Sequence, residues 1–210
     1  MNQSFSLKKN ETFSLTKLAA GISNLYAGLN WSPAKVGEKI DLDLVLIAVG
    51  ADGKVINQKH EECFLFFGNN GRDINADLGI VTPKAYYITP DNRDGRDDPT
   101  KPDDEAIFIT DSLIDPAIQE MRLFVTYWDA KGRTLTDVDS VTLRIAPLND
   151  KPDFDNEVTY NVRDYGSSQG VHMATLKRNP IGGWDIVAVG EPTGDLHSVM
   201  TVYGLMEKAA

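Results

Sequence analysis

KIDLDLVLIAV, residues 39–49, carries two signals in one strand. Its first half alternates, placing Asp41 and Asp43 on one face and Leu42 and Leu44 on the other, as successive side chains of an extended chain must. Its second half is unbroken apolar, the pattern of a strand covered on both faces. Asp52-Gly53 then gives a tight-turn pair, which predicts a hairpin returning through residues 54–58. Aspartates inside so apolar a strand are costly unless they are paired or bound to something, or reach water at an exposed strand end.

On either side the chain is a succession of short strands. Residues 5–8 and 12–15 alternate across a polar connection, and 22–29 is apolar up to Asn30-Trp31-Ser32-Pro33, where proline stops a strand. Residues 63–67 (CFLFF) read as a buried strand followed by the loop Gly68-Asn69-Asn70-Gly71. Further strands are expected over 85–88, 106–110, 123–127, 138–145, 158–162, 171–175 and 184–189. Their regular spacing, with turn residues between, points to an all-β sandwich or barrel. The one helix signal is residues 111–120, where Asp111 and Ser112 can cap the start and Pro116 limits the segment to a turn or two.

Composition narrows the function. The 210 residues have the hydrophobic and charged shares of an ordinary soluble protein and a net charge of −10. That charge argues against nucleic acid, whose phosphates need a basic face. Cys63 is the lone cysteine, so neither an internal disulfide nor a thiolate cluster can form. The opening residues lack an apolar run, and no later stretch is long enough for a membrane span, so a cytoplasmic setting is expected.

The chemistry concentrates in residues 91–105, DNRDGRDDPTKPDDE, where seven of fifteen residues are acidic. Such crowding needs relief, either from bulk water or from a bound cation. The run offers Asp91, Asp94, Asp97, Asp98, Asp103, Asp104 and Glu105 with Asn92 as a neutral donor. Asp41 and Asp43 could close a site from another strand, as could Asn69 and Asn70. An EF-hand is excluded, because setting its glycine on Gly95 puts Pro90 in the first ligand position and Lys101 in the last. Two other readings compete: a hydrolase using the acids as general acid and base, and a metal-free structural or interaction module. His60, His172 and His197 have no ligand spacing, and Cys63 in an aromatic run reads as core.

Taken together, FSLKKNETFSLTK with GLNWSPA, IDLDLVLIAVGADGKV, FGNN, DNRDGRDDPTKPDDEAIFI and GGWDIVAVGE resemble the tellurium-resistance, TerD-type family of bacterial stress proteins. The resemblance covers nearly the whole chain, departing at residues 72–90 and in the lengthened stretch 96–102. It implies an all-β fold, a β-sandwich of two mostly antiparallel sheets with one or two short helical turns, in a single domain over residues 1–210. It also implies Ca2+ bound at one end. The implied ligands are Asp41, Asp43, Asp91, Asn92, Asp94, Asp103, Asp104 and Glu105, followed by Asn69 and Asn70. The expected role is non-enzymatic: a stress-response protein working through other stress-response proteins, in the cytoplasm or in a complex at the membrane periphery.

Overall fold

The computed structural model describes residues 3–17, 24–35, 37–56, 63–68, 84–95, 100–128, 130–162 and 167–206. Among these residues twelve strands, numbered in chain order, form two six-stranded sheets. The first sheet runs β1 (Gln3–Ser6), β10 (Asn156–Val162), β9 (Val138–Pro147), β3 (Asn24–Pro33), β7 (Glu105–Thr110) and β6 (Tyr86–Ile88). The second runs β2 (Thr12–Ser14), β12 (Trp184–Thr193), β11 (Gly170–Arg178), β8 (Glu120–Thr126), β4 (Asp43–Val49) and β5 (Phe64–Leu65). All pairings are antiparallel except β1 with β10, so the fold is the all-β sandwich.

β4 is buried at every position, and alternation explains how. Leu44, Leu46 and Ala48 face the core between the sheets with Leu29, Ile107 and Leu143. Val45, Ile47 and Val49 face outward, where Leu196, Val199 and Met200 cover them. Those three belong to an α-helix, Leu196–Val202, for which the sequence reading made no provision. Its signals are short: Asp195 caps it, accepting from Ser198 N at 3.0 Å, and the apolar residues recur at helical spacing. The apolar second half of β4 is thus matched by a sheet beneath it and a helix above it.

Two local expectations change. The turn at Asp52-Gly53 forms, with Gly53 left-handed (φ +74°) and Gly50 N donating to Lys54 O at 2.9 Å. Residues 54–56 carry no strand, however, because Val55 turns in against the core, and β5 supplies the neighbour through Leu46↔Leu65 and Ile47↔Phe64. Residues 57 and 58 lie outside the described residues. The helix expected at 111–120 is one 3-10 turn, Asp111–Leu113. Asp111 does not cap it; its carboxylate accepts from Trp184 Nε1 at 2.9 Å and faces Arg178 at 3.6 Å.

β4 and β7 both begin at the same end of the sandwich, in different sheets. Glu105, first residue of β7, accepts from Leu44 N of β4 at 2.8 Å. A carboxylate rooted in one sheet therefore satisfies a backbone donor of the other, and fixes where the acidic residues meet.

Candidate metal centre

Three carboxylates converge at that end: Asp43, Asp91 and Glu105, with one oxygen of each within 4.8 Å of the others. Asp43 and Glu105 are 1% and 0% exposed. Glu105 is well supplied with donors, taking Leu44 N on Oε2 and Asn92 N on Oε1 at 3.4 Å. Asp43 Oδ2 and Asp91 Oδ1 are buried with no hydrogen-bond partner. Asp91 uses its other oxygen on Arg93 Nε at 2.7 Å.

Burial sets the electrostatics. It pushes the Asp43 carboxyl up to about 8, and the charges of Asp41 and Asp91 add to the effect. Glu105 is held well above the ordinary carboxylate range, again first by burial and then by Asp43 against the opposing help of Leu44 N. Asp41 is exposed and also raised, by partial desolvation and by Asp91. Repelling, under-partnered carboxylates in a low-dielectric site favour either a proton or a cation.

A cation fits. Oxygens bound to one calcium at roughly 2.4 Å can stand at most about 4.8 Å apart, and these three lie within 4.8 Å of one another. An all-oxygen donor set suits a hard divalent ion and offers nothing to a thiophilic one. Asp43, Asp91 and Glu105 are the residues that would hold it.

The remaining acids are placed variously. Asp104 is buried and committed, accepting from Trp31 N at 3.0 Å and from Asn92 Nδ2 at 2.7 Å. Asn92 shapes the loop, its Oδ1 accepting from Asp94 N and Gly95 N at 3.1 and 3.2 Å. Asp94 stands 3.9 Å from Lys39. Asp103 points to the other face of the first sheet, where it accepts from Tyr26 OH at 2.7 Å and lies 3.7 Å from Arg144. Residues 102–104 form a bend ahead of β7, and that bend turns Asp103 to Tyr26 and Arg144 while Asp104 turns to Trp31 N and Asn92, so the two acids do not enter one site. Asn69, Asn70, Asp97 and Asp98 lie outside the described residues.

One residue of interest had no sequence signal. Thr126 lies directly opposite Asp43 across the β4–β8 ladder, wholly buried, with its hydroxyl unpartnered. Only the strand register could have shown it.

A family model of the TerD domain matches residues 3–203. The chain belongs to the TerD family. Among TerD relatives, the tellurium resistance protein TerD of an Alcaligenes species is 30% identical over 207 residues, 96% of this chain and 98% of that one. The stress response protein SCP2 of Bacillus subtilis (strain 168) is 26% identical over 203 residues, 90% of this chain and 93% of its own. The crystal structure of a telluride resistance protein homologue from Streptomyces coelicolor A3(2) superposes with a TM-score of 0.61 at 16% identity, covering 86% of this chain and 95% of that one. This last likeness establishes the shared sandwich.

Proposed function

We propose that this TerD-family chain is a non-enzymatic calcium-binding protein of the bacterial stress response, of the tellurium-resistance type, working through regulated contacts with other stress-response proteins. The stress role follows from relatives named for tellurium resistance and stress response. The calcium reading rests on one observation: Asp43 Oδ2 and Asp91 Oδ1 are buried, unpartnered and converge with Glu105. A bound cation would neutralise the cluster and cross-link the two sheets. Asp43 would hold it from β4, Glu105 from β7, and Asp91 from the segment after β6. With its charge balanced, the loop around Asn92 and Asp94 presents a fixed surface to a partner.

Isothermal titration of EDTA-stripped protein with calcium tests this. The expected result is saturable heat with a rise in melting temperature. No heat and no stabilisation at millimolar calcium would sink it.

A further inference from the structure

A second pocket opens beside the acidic centre, about 270 Å3 in volume, lined by Lys39, Asp41, Tyr127, Trp128, Lys131 and Arg133. Among the described residues that line it, three are cationic, two are aromatic and one is a carboxylate. The arrangement is built rather than incidental. Arg133 Nη1 donates to Lys39 O at 3.0 Å and Nη2 lies 3.7 Å from Glu38, which ties the guanidinium to the segment before β4. Lys131 sits in a left-handed turn (φ +46°) ahead of Gly132 (φ +84°), a conformation a lysine adopts only where its surroundings impose it. Trp128 is 38% exposed yet braced by Phe66, Phe67 and His197, with ring centroids at 6.0, 5.2 and 4.8 Å.

We propose that this pocket binds a phosphomonoester dianion, and that a cation held by Asp43, Asp91 and Glu105 strengthens that binding. Three terminal oxygens of such a group match the three cations, Arg133 through guanidinium hydrogens left over from Lys39 O and the lysines as point charges. The volume leaves room for a short ester stem against Trp128. The coupling rests on the calcium reading and follows from shared residues. Asp41 lines the pocket and stands two residues before Asp43 of the acidic centre. Lys39 lines it too and stands 3.9 Å from Asp94 of the acidic loop. A cation held by Asp43, Asp91 and Glu105 offsets the negative charge that Asp41 and Asp94 set against an anion in the pocket, and linkage makes the effect reciprocal.

Trp128 supplies the readout, because Trp31 and Trp184 are buried at 0% and 2% exposure. Two probes are titrated into protein in calcium and in EDTA: glycerol 3-phosphate, and phosphatidylcholine vesicles with or without phosphatidic acid. The expected result is a saturable Trp128 fluorescence change in calcium that weakens about tenfold in EDTA and about tenfold or more in Lys131→Ala/Arg133→Ala. A response to the soluble ester identifies a free phosphorylated ligand; a response only to phosphatidic acid identifies a lipid headgroup. Either supports the pocket. Silence from both probes while calorimetry still shows calcium binding overturns this inference and leaves the calcium reading standing. A response unchanged by EDTA overturns the coupling, and one unchanged in the double variant overturns the pocket. Failure of calcium itself to bind is read separately by calorimetry and removes the reading on which the coupling rests.

Discussion

Asp43 shows most directly what the acidic centre demands. Its carboxyl is buried, has an oxygen without a donor and stands beside like charges, so ionising it in the folded state is unfavourable unless a cation is present. Asp43→Asn keeps the shape and removes the charge, and its effect should change sign with metal. In EDTA at neutral pH the variant should be more stable than the parent, by roughly 1–3 kcal/mol, because folding no longer has to protonate a carboxyl that is ionised in the unfolded chain. In calcium it should be the less stable of the two, with affinity reduced at least about tenfold as one anionic ligand is lost. Urea denaturation in both buffers reads this, and equal shifts in the two would show that Asp43 is merely a packing residue. Asp103 marks the limit of such reasoning from sequence. Its neighbours Asp104 and Glu105 are legible as a cluster, but which acid turns to which face depends on the path of the backbone. Here a bend ahead of β7, which strand patterning does not foretell, gives Asp103 to Tyr26 and Arg144.

The loop and the C-terminal helix were legible to different degrees. The acidic run 91–105 was legible as a place where carboxylates crowd, and the structure shows how its start is held: Asn92 Oδ1 accepts from Asp94 N and Gly95 N, and Gly95 packs on the Trp31 indole. Gly95 has φ +57°, and a Cβ there would lie 2.3 Å from Trp31 Nε1. Gly95→Ala should therefore combine left-handed strain with a clash against a wholly buried ring, costing roughly 1–3 kcal/mol and displacing Asp91 from Glu105. Thermal melts should show the loss, and calorimetry a weaker calcium affinity. Unchanged values in both would mean that the loop does not hold the site. The helix escaped notice because it is barely two turns long and its signals are a cap and three apolar residues. Asp195→Ala removes hydrogen bonds to Ser198 N and Ser198 Oγ at 3.0 and 2.7 Å. We expect about 1 kcal/mol less stability by chemical denaturation. No loss would indicate that packing of Leu196, Val199 and Met200 alone keeps the helix on Val45 and Ile47.

The two sheets meet at the acidic end through Glu105 and Leu44, so charge there affects the stability of the entire sandwich. The strand pattern of residues 39–49 was enough to foresee a strand covered on both sides. It could not show that the acids of β4 and β7 would close on each other, since that contact spans the interior. Titration should expose it. Asp43 is raised from an ordinary 3.8 to about 8, and Glu105 moves in the same direction. Without metal, the folded state then binds more protons than the unfolded chain between about pH 4 and 8, and stability must fall as pH rises through that window. His172 acts oppositely. Desolvation lowers it from 6.5 to about 4, so below pH 6.5 the unfolded chain takes up the extra proton and stability rises with pH until His172 is neutral in both states. The two slopes oppose each other up to pH 6.5, and above it only the carboxylates remain. Protein in EDTA should accordingly lose stability from pH 6.5 to 8, by up to about 1.4 kcal/mol per pH unit for each such group. In saturating calcium the carboxylates are already ionised and the decline should vanish. Urea midpoints measured across that range in the two buffers decide the matter: parallel curves would mean that the acidic end neither stores the protons nor holds the cation, and a decline confined to EDTA would locate both at Asp43 and Glu105.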